Sequence, residues 1–175
     1  RRGETIGTGC MTLERRIAAV FRMDDATWRR HANPWSVWTR LVVLPLLVLA
    51  AWSRAWIGWW AVLPAALALA WAWLNPRVFP EPASFNHWSS RGVLGERAWL
   101  ARDRHPVPRH HRGIPTVLAL VSAIGLAVAV WGVIVLDPWP AILGTAIAML
   151  GKLWFVDRMA WLCADVHGAP PDTPG

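Results

Sequence analysis

The sequence predicts an all-α integral membrane protein, a bundle of four transmembrane helices in two hairpins with an N-terminal amphipathic helix and a structured cytoplasmic loop. Residues 55–74 and 114–136 contain no charged residue, and about 20 apolar residues are enough to cross the core of a bilayer. A chain of 175 residues is too short to bury two such segments on all sides. The positions of the lysines, arginines and tryptophans indicate the same fold class.

The N-terminal part divides into two segments. Residues 1–10 are interpreted as a disordered extension, and a single membrane domain is expected over residues 11–165. Residues 12–23 place apolar side chains on one helical face and arginines off it. Such a helix lies in the membrane interface or packs on the cytoplasmic loop of the protein itself, and both alternatives stay open. Residues 166–175 are expected to form a disordered tail.

Four spans follow from the charge-free stretches, at about residues 35–52, 55–74, 114–136 and 139–156. The first span contains Arg40 near the cytoplasmic interface, where a long side chain can reach the headgroups. A re-entrant segment is the alternative for this first stretch. The region between the two hairpins, residues 75–113, is the predicted cytoplasmic loop.

The basic residues predict the orientation. Of 18 lysines and arginines, eight lie in residues 1–40, seven lie in residues 75–112, and Lys152 and Arg158 follow at the end of the last apolar stretch. Only Arg54 falls on the opposite side. Because cytoplasmic loops are enriched in basic residues, both termini are expected in the cytoplasm of a cell in whose inner or plasma membrane the protein resides. The same pattern explains the net charge of +7 without a nucleic-acid partner.

Tryptophans and glycines support the two hairpins. Twelve of the fifteen tryptophans fall near predicted span ends, where aromatic belts form. Gly125 and Gly132 are two helical turns apart, and so are Gly144 and Gly151. Counting outward from the turn at Asp137 puts Gly132 level with Gly144 and Gly125 level with Gly151. These glycines predict a close approach of the two helices.

The cytoplasmic loop is the predicted location of a site, because it mixes proline, tryptophan, histidine, arginine and acids and is long for a passive connection. The candidate binding residues are Arg40, Arg77, His87, Arg91, Glu96, Arg97, Asp157 and Arg158. For Asp157 the alternative is a structural ion pair with Arg77 or Arg40. The loop shows no nucleophile, phosphate-binding or dinucleotide motif, and the catalytic residues stay unknown.

Histidines of the loop are candidate metal ligands: His87, His105, His110 and His111. Imidazoles with nearby carboxylates suit Fe, Zn or Cu. The histidine boxes of membrane di-iron desaturases are not matched. The alternative is a basic, headgroup-facing loop that holds no metal.

Four motifs carry a resemblance to a known family. They are HANPWSVWTR (31–40), NPRVFP (75–80), VLGER (93–97) and GKLWFVDRMAWL (151–162). Together they resemble an uncharacterised family of small membrane proteins from bacteria and archaea, a domain of unknown function, over residues 25–165. The resemblance implies a shared membrane bundle, and it carries over no activity and no catalytic residue.

Two function classes remain open. The first is a non-enzymatic membrane protein whose basic, histidine- and tryptophan-rich cytoplasmic face binds lipid headgroups, a small anion or a partner protein. The alternative is a metal-dependent membrane enzyme acting on a lipid or another hydrophobic substrate at the cytoplasmic interface. A transporter ranks third, because no charge lies in the middle of the spans. Membrane lipids are the expected partners, and a homodimer is a further alternative.

Overall fold

The computed structural model describes residues 25–102 and 107–167, and these residues form helices and turns without a strand. The predicted extension over residues 1–10, the amphipathic helix over residues 12–23 and all but the first residues of the predicted tail lie outside the described residues. The all-α prediction is confirmed for the described part of the chain.

The described residues form eight helices and two 3₁₀ turns. The helices are α1 (Asp25–His31), α2 (Pro34–Leu41), α3 (Val43–Trp52), α4 (Arg54–Ile57), α5 (Val62–Val78), α6 (Trp88–Leu100), α7 (Ile114–Val135) and α8 (Pro138–His167), with 3₁₀ turns at Gly58–Ala61 and Arg109–His111. The predicted cytoplasmic loop contains α6 and the second 3₁₀ turn.

Three helical segments are long and apolar enough to cross a membrane, namely Pro34–Val78, Arg109–Val135 and Pro138–Val166. Their outer faces expose large apolar side chains, among them Trp59 and Leu67. Continuous apolar surface of this extent marks a contact with lipid or protein. The three segments therefore indicate a membrane protein.

The helices α7 and α8 run antiparallel and pack backbone against backbone. The level pairs are Gly125 with Ala148, Ala129 with Gly144, Gly132 with Ala141, and Ser122 with Gly151. A Cβ atom on Gly132 or Gly144 would stand 2.2 Å from a backbone nitrogen of the other helix. The predicted close approach is confirmed. The predicted pairing of glycine with glycine is wrong, because the observed partners are shifted along α8 by less than one helical turn. The chain reverses earlier than expected, because Leu136 takes the left-handed conformation at φ 56° and ends α7 there.

The segments α2 and α3 pack against α5. Just after the end of α3, Arg54 Nη2 donates to the carbonyl oxygens of Val133 at 2.6 Å and Ile134 at 2.7 Å. A cation suits the last carbonyls of a helix, which carry partial negative charge. We call this end, residues 53–61 and 136–138, the turn end. The opposite end, with α1, α6 and the turn Arg109–His111, is called the polar end.

Candidate functional site

The helix α6 docks on α8 by direct backbone contact. A Cβ atom at Gly95 would stand 1.8 Å from the carbonyl oxygen of Met159, and a Cβ atom at Gly92 would stand 2.5 Å from Val156 Cγ1. Side chains at these two positions would hold the helices apart. The glycines therefore let α6 lie close to α8, and the next residue, Glu96, is held beside the same helix.

Glu96 forms an ion pair with Lys152 of α8. Glu96 Oε1 lies 3.2 Å from Lys152 Nζ, and the ammonium group lies 4.7 Å from the centroid of the Phe155 ring. Burial raises the pKa of the Glu96 carboxyl, but the positive charges of Lys152 and Arg40 lower it more, so the pKa lies below its usual value. Glu96 is therefore ionised at neutral pH, and the pair carries both charges.

A chain of buried hydrogen bonds starts at His31. His31 Nδ1 lies 3.0 Å from Ser36 Oγ, Ser36 Oγ donates to Asn75 Oδ1 at 2.6 Å, and Asn75 Nδ2 donates to Thr39 Oγ1 at 2.7 Å. Ser36 has one hydroxyl hydrogen, which goes to Asn75. Its oxygen therefore accepts from the Nδ1–H of His31, and this order fixes the tautomer of the imidazole.

The local sequence positions this chain. Asn33 accepts a hydrogen bond from the backbone nitrogen of Trp35 at 3.0 Å and caps α2, and Pro34 takes the first helical position. Asn is among the best N-caps, and proline fits the first turn because its missing N–H would have no helical partner. The cap starts α2 directly after His31, so that Ser36 comes within reach of the imidazole.

Burial, followed by the charge of Arg40, lowers the pKa of His31 from 6.5 to about 3. The imidazole is therefore neutral at physiological pH. In this neutral ring, Nδ1 carries the hydrogen that Ser36 accepts, and Nε2 keeps an electron pair.

A cavity of about 480 Å³ lies between α1, α2, α3, α6, α7 and α8 at the polar end. Its polar lining consists of His31, Arg40, Glu96, Ser122 and Lys152. The apolar lining consists of Trp28, Val37, Leu41, Leu44, Val93, Trp99, Leu100, Ala119, Ala148, Met149, Phe155 and Val156. A mostly apolar cavity with a few converging polar groups has the form of a small-molecule site.

The charges of the cavity do not cancel. Arg40 and Lys152 are positive, Glu96 is negative and His31 is neutral. Among the described residues that line the cavity, the sum is one positive charge. Because apolar walls weaken the screening of charge by water, this excess favours an anion inside the cavity.

Comparison with known proteins adds one finding. A model of a family described as a family of unknown function, DUF6653, matches residues 12–174. The chain belongs to this family. The four motifs that carried the predicted resemblance lie within the matched residues, and the resemblance to a family of unknown function is confirmed. No curated protein and no solved structure matches the chain. Membership in DUF6653 assigns no activity, because the function of the family is unknown.

Two of the binding residues predicted for this DUF6653 chain, Arg40 and Glu96, line the cavity. The other six do not line it and make these contacts: Arg77 with Trp73, His87 with Ser89, Arg91 with Asn86, Arg97 with Asp25, Asp157 with Trp88, and Arg158 with Trp161. The carboxylate of Asp157 accepts a hydrogen bond from Trp88 Nε1 at 2.9 Å. The ring of His87 accepts a hydrogen bond from the backbone nitrogen of Ser89 and caps α6.

Two of the predicted metal ligands come together. His110 Nε2 and His111 Nε2 lie 2.9 Å and 2.8 Å from the same oxygen, Oδ2 of Asp165. His87 is not part of this group, and His105 lies outside the described residues.

Sequence reasoning missed three residues of these sites. Lys152 stands inside the predicted fourth span, and an ionisable residue in a span is itself an indication of function. His31 begins the first family motif, but nothing in the sequence pairs it with Ser36 and Asn75. Asp165 lies more than 50 residues from the histidines that it contacts, so only the packing of the chain could identify it.

Proposed function

We propose that the chain is an integral membrane protein with four spans in two hairpins, and that its cavity binds an amphiphile with a singly charged anionic headgroup at the cytoplasmic side. The observation that carries the proposal is the cavity, whose walls are apolar and whose charged groups sum to one positive charge. Its volume falls in the range of about 300–1,000 Å³ that is usual for small-molecule sites.

The length of the first candidate segment supports two crossings. Pro34–Val78 has 45 residues, whereas one crossing needs about 20. α3 packs against α5 within this segment, as two antiparallel spans would. The contact of Arg54 with the end of α7 is in accord with a common side for both turns.

The distribution of basic residues supports the orientation. The polar end contains the arginines of α1, α6 and the turn Arg109–His111, and the turn end contains Arg54. Basic residues are enriched on the cytoplasmic side of membrane proteins. The polar end would therefore face the cytoplasm.

The topology can be tested with single cysteines. In a variant that lacks Cys10 and Cys163, we expect Ile57→Cys to react with a membrane-impermeant maleimide from outside intact cells. Ser84→Cys should react only after the membrane is opened. Reaction of both positions from the same side would contradict a crossing between residues 57 and 84.

The cavity combines the two halves of an amphiphile site. Leu44, Ala119 and Met149 offer apolar wall that an acyl or other hydrophobic chain can cover. Arg40 and Lys152 supply the positive charges that attract an anionic headgroup. Guanidinium groups suit phosphate and carboxylate especially well, because two parallel N–H groups can donate at once.

The proposal predicts selective lipid binding. Native mass spectrometry of the purified protein should show retention of phosphatidylglycerol over phosphatidylcholine with the same acyl chains. Arg40→Ala should weaken this retention by about ten-fold or more, the effect of losing a charged hydrogen bond. Oleate, offered in parallel, distinguishes a phospholipid from a fatty acid as the natural ligand class.

Two further variants make this experiment specific. Arg97→Ala removes an exposed arginine of the polar end that lies outside the cavity, and it should keep the preference. Leu44→Trp fills the cavity without changing its charge, and it should abolish retention. Equal retention of anionic and zwitterionic amphiphiles by the wild type would contradict the proposal.

A further inference from the structure

A second group of chemically active side chains lies outside the cavity. The turn Arg109–His111 presents two histidines to Asp165, which stands near the end of α8. None of the three residues lines the cavity. The two histidines come from a different element than the aspartate, so the group ties the turn to α8.

The two imidazole rings converge although they are neighbours in the chain. Successive residues of a 3₁₀ helix point about 120° apart. The ring centroids of His110 and His111 are nevertheless only 4.3 Å apart, and both Nε2 atoms face Oδ2 of Asp165. The three ligand atoms all lie within 4.8 Å of one another. Ligand atoms around a tetrahedral Zn²⁺ ion are about 3.3 Å apart, given its bond lengths of about 2.0–2.1 Å, so small rotations would suffice.

We propose that His110, His111 and Asp165 form a binding site for a divalent transition metal of the zinc class. Two imidazole nitrogens and one carboxylate oxygen are ligands that zinc accepts readily. The side chains of His110 and Asp165 are 68% and 46% exposed, so solvent can supply the remaining ligand. His111 is buried, and its fixed ring would determine where the ion sits.

The surrounding backbone holds the turn in place. The backbone nitrogen of His111 donates to the carbonyl oxygen of Pro108 at 3.0 Å. Arg112 Nε donates to the carbonyl oxygen of Val107 at 3.2 Å, and this hydrogen bond joins the residues on the two sides of the turn. Bound metal would take the place of the two hydrogen bonds to the carboxylate, with the ring proton of each imidazole carried by Nδ1, and it would clamp the turn onto α8.

The test is zinc binding by the purified full chain without a histidine tag. After chelator treatment and dialysis, isothermal titration and elemental analysis should give one Zn²⁺ per chain. Replacement by Co²⁺ should give the visible absorption of a protein-bound ion. Asp165→Asn and His110→Ala each remove one exposed ligand, and each should lower zinc affinity by at least about 100-fold, more than the loss of a supporting residue costs.

A matched control removes a histidine of the same end without touching the group. His87→Asn keeps a capping side chain at the start of α6, and it should bind zinc like the wild type. The site does not exist if the wild type binds no zinc. The assignment is also wrong if Asp165→Asn and His110→Ala, both folded by circular dichroism, bind zinc as tightly as the His87→Asn control.

Discussion

The α7–α8 pair and the polar end are built in opposite ways. Between α7 and α8 the contact is made by small residues, and Gly132 and Gly144 bring the backbones together. At the polar end, His31, Glu96 and Lys152 are brought from three different helices into contact with one cavity. The first region stays together through shape, and the second positions charge in an apolar surrounding. We interpret the pair as the scaffold and the polar end as the location of the proposed site.

The largest effect is expected from breaking the scaffold. In Gly144→Leu the new Cβ atom would stand 2.2 Å from the backbone nitrogen of Ala129, which cannot move without moving α7. We expect a loss of about 3 kcal/mol or more in unfolding free energy, above the usual cost of overpacking. Denaturant titration in detergent measures it. Gly113→Ala is the control, since a Cβ atom there meets nothing within 4 Å; equal losses in both variants would contradict the assignment.

A smaller effect is expected from the buried imidazole at the polar end. Burial and Arg40 hold the pKa of His31 at about 3 instead of 6.5, so between these values the unfolded state binds a proton and the folded state does not. The unfolding free energy should therefore be highest above pH 6.5 and decrease as the pH falls toward 3. The expected result for His31→Asn is a flatter profile between these values, as followed by thermal unfolding in detergent.

The pH experiment has its own control. His87→Asn removes an exposed histidine and should keep the wild-type profile. A wild-type profile that is flat from pH 6.5 to 4.5, the range above the ordinary pKa of Glu96, would show that His31 is not held neutral.

A still smaller effect is expected from the ion pair. Glu96→Gln should lower the unfolding free energy by about 1 kcal/mol, the upper end for partly exposed pairs. The pKa of Glu96 is lowered in the fold, so its stabilisation is present at neutral pH and lost in acid. The variant should accordingly lose less stability than the wild type when the pH falls below 4.5.

A second ion pair serves as the reference for Glu96→Gln. Asp25 pairs with Arg97, but its side chain is 85% exposed, and Asp25→Asn should change stability by less than about 0.5 kcal/mol. Equal changes in unfolding free energy in both variants would show that the ion pair of Glu96 is an ordinary surface contact and not a fixed part of the cavity.

An effect no larger than that of Glu96→Gln is expected at the turn end. Arg54→Ala removes two hydrogen bonds to the last carbonyls of α7, and exposed contacts with a helix end contribute about 0.3–1 kcal/mol. Thermal unfolding in detergent should show this loss without a change in lipid preference. A changed preference would mean that the two ends are not independent.

Features that depend on residues close in sequence could be predicted. The charge-free stretches identified the apolar helices, and the seven-residue spacing of Gly125 and Gly132 identified the close contact of α7 with α8. The residue-by-residue pairing of α7 with α8 could not be predicted, because it depends on where the chain reverses. The chain reverses at Leu136 in the left-handed conformation, which leucine rarely adopts.

The candidate site was predicted only in part. Arg40 and Glu96 were identified because charges beside apolar helices are conspicuous in a sequence. These two residues lie near His31 and Lys152 only because α6 docks on α8. Two glycines permit this docking, but glycines in a sequence do not reveal which helix they contact. In the same way, Asp165 joins His110 and His111 only through the packing of the end of α8.

The most direct test of the amphiphile site is photo-crosslinking. Phosphatidylglycerol with a diazirine in its acyl chain is incorporated with the protein into nanodiscs, and the labelled residues are mapped by mass spectrometry. We predict labels on the cavity walls at Leu44, Ala119 and Met149, with their loss in Arg40→Ala. Labels confined to outward-facing side chains such as Leu67 and Leu150, the same in wild type and variant, would contradict the site.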